Sequence, residues 1–256
     1  MGRISKFTVL GTLFLVGCAS RPLASESTSS ESTSPQSARK IRVVLVGDST
    51  VNDQGGWGAG FKELIDSQIE CVNYAQNGRS SKSFIEEGHW QKALAGRADY
   101  VLIQFGHNDM PGKGPARETD PNTTYRDWMS RYVDDSRAVG AMPVLVTSMT
   151  RRNFRDGRVV TLLGDYAQAV RDLAREKNVP LVDLHARSIQ LLNRLGPAES
   201  ETLGPIADGR PDRTHLSIRG QAVVAALVVE QLREAVPDLA PHLKRVSPTL
   251  PWEDQH

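Results

Sequence analysis

The sequence predicts a three-layer α/β/α sandwich built on a five-stranded, mostly parallel sheet. Three observations lead to that fold class. Short β-branched apolar runs recur along residues 41–184, and segments with apolar residues at helical spacing lie between them. No internal repeat or second domain boundary interrupts residues 41–244. Strands that alternate with helices pair in parallel through right-handed crossovers, and this puts helices on both faces of the sheet. A chain of 256 residues with 39% hydrophobic composition holds one large domain and buries its own core without disulfide or metal staples.

The first strand is expected at residues 41–46, an apolar run ending in Gly47. Residues 100–105, 143–147 and 180–184 read the same way, and residues 71–75 are a weaker fifth. Helices are expected over residues 60–69, 124–139, 162–176 and 217–236. The second carries Tyr125, Trp128, Met129, Tyr132 and Val133 at helical spacing, and the third carries Tyr166, Val170, Leu173 and Ala174. The last opens on Ser217 as a cap and presents Val223, Val224, Leu227 and Val228. Aromatic residues at these spacings read as core.

The N-terminus has the pattern of an address and a tether. A basic start (Arg3, Lys6) precedes an 11-residue apolar stretch, Phe7 to Gly17, too short to span a bilayer. Leu15-Val16-Gly17-Cys18 resembles the bacterial lipobox, so residues 1–17 are expected to be a lipoprotein signal peptide and Cys18 the lipidated residue. Ala19 and Ser20 follow it in place of an aspartate, which favours anchoring at the outer membrane of a bacterial envelope. Residues 18–40 are the expected tether, since positions 19–38 hold eight serines and almost nothing apolar. With Cys18 lipidated, Cys71 has no partner and reads as an inert core thiol. Residues 245–256 are expected to form a proline-rich tail.

Charge excludes several function classes. Lysine and arginine number 31 against 30 acidic residues, so no basic field invites nucleic acid. No apolar run reaches the roughly 18 residues of a spanning helix, which argues against a polytopic membrane protein.

In open α/β sheets, ligands bind beyond the carboxyl ends of the strands, and the chemistry-bearing residues fall there. Gly47-Asp48-Ser49-Thr50 follows the first strand, a turn where a serine is exposed as a nucleophile or serves merely as a cap. Val51 stands where the glycine that ends a Gly-x-Ser-x-Gly elbow belongs. Gln76-Asn77-Gly78-Arg79 follows the second strand, where Gly78 allows close backbone approach. Gly106-His107-Asn108-Asp109 follows the third, where an asparagine amide can donate to a developing oxyanion. Asp212-Arg213-Thr214-His215 precedes the last helix, where an aspartate three positions before a histidine can orient it as a base. Each string alone is equally an ordinary turn; their joint order at one sheet edge is what points to a site.

That order resembles the SGNH (GDSL-type) hydrolase superfamily, a flavodoxin-like fold. The longer strings Gly56-Trp57-Gly58, Gln76 to Ser81, Ile103 to Asp109 and Asp212 to Ser217 resemble its rhamnogalacturonan acetylesterase branch, as do residues 143–147 and Arg151-Arg152. The spacer from Pro205 to Pro211 lies outside the resemblance, beside His215. The resemblance implies Ser49 as nucleophile, His215 as general base and then acid, and Asp212 as its orienter. It also implies an oxyanion hole made of the Ser49 and Gly78 N–H groups and the Asn108 amide. The implied activity is removal of O-acetyl groups from a plant cell-wall polysaccharide or oligosaccharide, pectic rhamnogalacturonan first, without a cofactor or metal. Xylan, another polysaccharide and peptidoglycan are the alternative substrates.

Two readings from other classes are weaker. A two-metal phosphoesterase would need Gly-Asn-His-Asp where the chain has Gly-His-Asn-Asp, and His89, His107, His185, His242 and His256 form no i, i+4 ligand pair. A tethered, non-catalytic carbohydrate-binding protein would have no use for the serine, histidine and aspartate together. Arg79, Arg151 and Arg152 fall at loop positions from which guanidinium groups can pair with uronate carboxylates, or stand solvated.

Overall fold

The computed structural model describes residues 39–246, besides Gly2 and Thr12. The signal, Cys18 and nearly all of the tether lie outside the described residues, as does the tail beyond Val246. No helix among the described residues is long and apolar enough to cross a membrane.

Strand β1 (Ile41–Gly47) alternates Val43 and Leu45 toward one face with Val44 and Val46 toward the other, and all four are buried. A strand buried on both faces belongs inside a parallel sheet. It pairs in parallel with β2 (Ile69–Asn73) and β3 (Tyr100–Gln104); β3 pairs with β4 (Met142–Val146), and the remaining edge is a short strand at Leu181–Val182. The sheet is five-stranded and all-parallel, ordered β2-β1-β3-β4 and then that edge strand.

One face packs on α1 (Gly58–Glu63) and on the C-terminal helix, Ile218–Ala235. The other face packs on α2 (Ser81–Glu86), α3 (His89–Leu94), α4 (Thr124–Ala138) and α5 (Gly164–Lys177). This is the three-layer arrangement that the alternation of strands and helices predicts. Tyr125, Met129, Tyr132, Val133, Tyr166 and Val170 are core residues, as their spacing requires.

Several boundaries differ from the sequence expectation. The first helix covers Gly58–Glu63 and not residues 60–69, because Asp66 accepts from Gln68 N at 2.8 Å and turns the chain into β2. The last strand stops at Val182: Asp183 caps a new helix, α6 (Leu184–Glu201), by accepting from Ala186 N at 3.3 Å. α6 breaks at Gly196-Pro197, where Gly196 leaves helical geometry. Two antiparallel hairpins also form. Phe154–Arg155 pairs with Arg158–Val159 as β5 and β6, around Asp156-Gly157. With the edge strand numbered β7, Ile206–Ala207 and Arg210–Pro211 are β8 and β9, around Asp208-Gly209. All four turn residues have positive φ, the geometry that two-residue hairpins demand and Asp-Gly supplies. The second hairpin is the Pro205 to Pro211 spacer, closed by Asp212 N donating to Pro205 O at 2.9 Å. The C-terminal helix, now α7, is capped by Ser217 accepting from Gly220 N at 3.1 Å.

Buried tyrosines fasten the strand-end loops from below. Tyr125 donates to Phe105 O at 2.8 Å, Tyr132 to Ser81 O at 2.8 Å, and Tyr166 to Asp109 O and Thr119 O at 3.0 and 2.8 Å. A buried hydroxyl with a carbonyl partner avoids a desolvation penalty and fixes the loop it touches.

Candidate active site

Ser49 sits one turn beyond β1, partly exposed over a buried polar chain. Thr50 N and Oγ1 donate to Asp48 Oδ1 at 2.8 and 2.7 Å. Gln104 Nε2 donates to Thr50 Oγ1 at 2.8 Å, and Trp57 Nε1 to Gln104 Oε1 at 3.0 Å. The chain ties the serine turn to the end of β3 and to the start of α1, a preorganised support for a reacting side chain. Burial pushes the Asp48 carboxyl up, while the Thr50 hydrogen bonds and the charges of His215 and Arg151 act against that shift.

His215 and Asp212 arrive from the turn between β9 and α7. His215 Nε2 lies 2.9 Å from Ser49 Oγ, and His215 Nδ1 lies 2.7 Å from Asp212 Oδ2. The other carboxylate oxygen accepts from Thr214 N at 2.8 Å and His215 N at 3.0 Å. Burial acts to raise the Asp212 carboxyl, but the His215 ring and these two N–H groups outweigh it and hold it at about 2. An ionised acceptor at Nδ1 puts the imidazole proton there and leaves the Nε2 lone pair facing Ser49 Oγ.

Gly78 and Asn108 lie on the loops that follow β2 and β3. Gly78 has φ +76°, a left-handed conformation that favours glycine. Its loop is anchored to the serine turn by Gln76 N donating to Gly47 O at 2.9 Å. Asn108 Nδ2 donates to Arg79 O at 3.2 Å, which leaves its second amide hydrogen available. Among the described residues, the Ser49 and Gly78 N–H groups have no intramolecular acceptor. Gly106, at the start of the Asn108 loop, has φ +148°, and a Cβ there would meet Ser148 Oγ at 2.6 Å. The structure brings Ser49, His215 and Asp212 into one hydrogen-bonded line; Gly78 and Asn108 stand on the loops that follow β2 and β3, and Cys18 lies outside the described residues. An oxygen nucleophile, an oriented base and unclaimed donors can perform acyl transfer. No cluster of three or more metal-ligating side chains occurs among the described residues.

The family model for GDSL-like lipases and acylhydrolases matches residues 45–223. The chain belongs to that family. The rhamnogalacturonan acetylesterase RhgT of Bacillus subtilis is 39% identical over 225 residues, covering 80% of this chain and 95% of its own. A crystal structure of another Bacillus subtilis protein superposes with a TM-score of 0.67 at 24% identity, over 76% of this chain and 56% of that one. An acetylxylan esterase of Geobacillus stearothermophilus does so with a TM-score of 0.59 at 18% identity, over 76% and 94% of the two chains. These structures share the three-layer fold with this GDSL-like acylhydrolase, which is a carboxylic ester hydrolase.

The three arginines singled out in the sequence have different places. Arg79 is paired with Glu87 at 2.7 Å. Arg152 is only 3% exposed and faces inward, so it does not meet substrate. Its Nη2 donates to Asp212 O and to His215 O, the carbonyls at the two ends of the triad turn, and its own N–H donates to Arg213 O at 3.0 Å. Burial lowers the guanidinium to about 10, against the pull of Asp212 and Glu201, so it stays charged at neutral pH. Gly204 makes room for it: a Cβ there would meet Arg152 Nη2 at 2.3 Å and Asp212 O at 2.4 Å. Arg152 thus holds the turn that carries Asp212 and His215, and is neither a uronate partner nor a solvated arginine. Nothing in a dipeptide of arginines distinguishes the buried one from the half-buried one.

Arg152→Met is expected to lower kcat about 10- to 100-fold with KM little changed, because small displacements of a catalytic group cost about that much. Steady-state hydrolysis of an aryl acetate measures it. A variant that melts earlier yet turns over like wild type would confine Arg152 to a folding role.

Cys71 is half-buried against the sheet, and burial pushes its thiol up to about 12, so it is protonated and inert at neutral pH. His107 is buried beside Asp48, its Nδ1 3.7 Å from Asp48 Oδ2, and burial holds the ring well below its ordinary range. It is a neutral filler beneath the site.

Proposed function

We propose that this enzyme removes O-acetyl groups from an acetylated plant cell-wall polysaccharide, pectic rhamnogalacturonan first, through an acetyl-enzyme formed on Ser49. The observation that carries this reading is the line from Ser49 Oγ to His215 Nε2 at 2.9 Å and from Nδ1 to Asp212 at 2.7 Å. The curated relative at 39% identity, whose name is rhamnogalacturonan acetylesterase, supports the substrate.

The chemistry follows from the geometry. His215 Nε2 takes the Ser49 proton as Oγ adds to the acetyl carbonyl carbon. The charge that develops on the carbonyl oxygen is met by the Ser49 and Gly78 N–H groups and the Asn108 amide, each donor contributing about 3 kcal/mol. Asp212, ionised, stabilises the imidazolium. His215 then returns the proton to the sugar oxygen as the C–O bond breaks, leaving acetyl-Ser49 and a free sugar hydroxyl. Water, deprotonated at Nε2, attacks the acetyl group, and collapse releases acetate and regenerates Ser49.

The test is acetate release by residues 38–256 from acetylated rhamnogalacturonan, with acetylated xylan alongside and Ser49→Ala as control. Faster, Ser49-dependent release from the pectic polymer is the expected result. Release from xylan alone would keep the serine esterase and discard the pectic substrate.

A further inference from the structure

Most charged side chains around the site are already neutralised by neighbours. Arg79 pairs with Glu87, Asp53 with Lys62 at 2.5 Å, and Arg213 with Glu201 at 3.2 Å. Two guanidinium groups differ. Arg151 donates from Nη1 to Thr214 Oγ1 at 3.0 Å, and Thr214 lies inside the Asp212 to His215 turn. Arg117 donates from Nε to Lys113 O at 2.9 Å and from Nη1 to Gly78 O at 3.4 Å, on the loop that follows β2. Neither has a carboxylate partner among the described residues, and each keeps its Nη2 group unclaimed there. Lys113, beside Arg117, likewise has no ion-pair partner among the described residues.

Neither acidic group of the two site turns forms an ion pair with these arginines, although Arg151 acts on the buried Asp48 carboxyl through space. Asp48 is buried with its hydrogen bonds to Thr50, and Asp212 is committed to His215. Arg117 and Arg151 thus stand as cations without a carboxylate ion pair among the described residues, in a chain that carries only +1 overall. Both guanidinium groups are half-buried and held by hydrogen bonds, so less side-chain entropy is lost when they bind a planar anion. A carboxylate is the anion that two flanking, hydrogen-bonded forks accommodate with paired N–H···O contacts.

We propose that Arg117 and Arg151 form carboxylate-binding subsites on either side of Ser49, and that the enzyme selects acetyl esters carried by a uronate-containing polymer. This rests on the reading of Ser49 as the acetyl-transferring nucleophile. Carboxylates on sugars flanking the acetylated one dock on the two arginines, and that docking sets which ester reaches Ser49. Arg117 was not visible as a site residue in the sequence, because the loop that carries it returns to Gly78 only in the folded chain.

The experiment compares one acetylated uronate polymer with the same polymer after its carboxylates are methyl-esterified, reading acetate release. Wild type is expected to prefer the charged polymer in kcat/KM, and Arg117→Gln with Arg151→Gln together to cut that preference on the order of ten- to a hundred-fold. The ratio cancels any loss that both substrates share, including a change at Gly78. Raising salt from about 50 to about 500 mM is expected to erode the wild-type preference as screening shortens. A wild-type ratio near one, or a double variant that keeps the wild-type ratio, overturns the subsites while leaving the esterase standing. Acetate release from neither polymer, nor from an aryl acetate, would instead overturn the reading of Ser49.

Discussion

Ser49→Ala is expected to lower kcat by about four to six orders of magnitude, with the fold intact, and His215→Ala by a similar amount. Ser49 Oγ is not packed in the core, and its contact is to the imidazole at 2.9 Å, so deletion of the hydroxyl disturbs little else. The polar chain beneath it runs through Asp48, Thr50, Gln104 and Trp57 and does not pass through Ser49. Serine and histidine act as one unit, because without the base the hydroxyl is a weak nucleophile and without the hydroxyl the base has no proton to take. The double variant is therefore expected to be no slower than either single one. Hydrolysis of an aryl acetate measures all three; additive losses would mean that the two residues do not share one step.

Asp212→Asn is expected to cost roughly four orders of magnitude in kcat. Asparagine keeps an oxygen for the Thr214 and His215 N–H groups, so the turn survives. Its amide nitrogen, facing His215 Nδ1, donates where the carboxylate accepted. The imidazole proton then moves to Nε2, and the lone pair that should receive the Ser49 proton is lost. The wild-type pH profile follows from the same geometry. Asp212, held at about 2, is ionised throughout the working range, so it adds no proton step above that pH. A single base that must be neutral to accept the Ser49 proton gives an acid limb of slope one: kcat/KM rises with pH and then levels. An Asp212→Asn enzyme within ten-fold of wild type, or an acid limb of slope two, would contradict this assignment.

The fold was legible where apolar residues are dense and their period unambiguous. The four clear strands and the helices through Tyr132, Tyr166 and Val224 all stand within a few residues of their expected places. What was missed is short or is set by tertiary contact. α2 and α3 have six residues each, too few for a period to emerge. α6 was hidden because Val182 to Leu184 continue an apolar strand pattern, and Asp183 switches the chain to helix by capping it. The two Asp-Gly hairpins carry a turn signal in the sequence, but their two-residue strands are too short to show a period. The site residues were legible because they lie in four short strings, each at a strand end or helix start. Their supports were not: Arg152 and Arg117 come from elsewhere in the chain, Gln104 lies inside one of the strings, and all three act through hydrogen bonds that no local spacing encodes.

The central claim is that acetyl passes through Ser49, and trapping it there is the direct test. Wild-type enzyme mixed with an excess of aryl acetate and quenched in acid during turnover is digested, and the peptide containing Ser49 is weighed. One added acetyl group on that peptide, located to Ser49 and absent from Ser49→Ala, is the predicted result. A burst of product with the acetyl group on another residue, or turnover that persists in Ser49→Ala, would contradict the account.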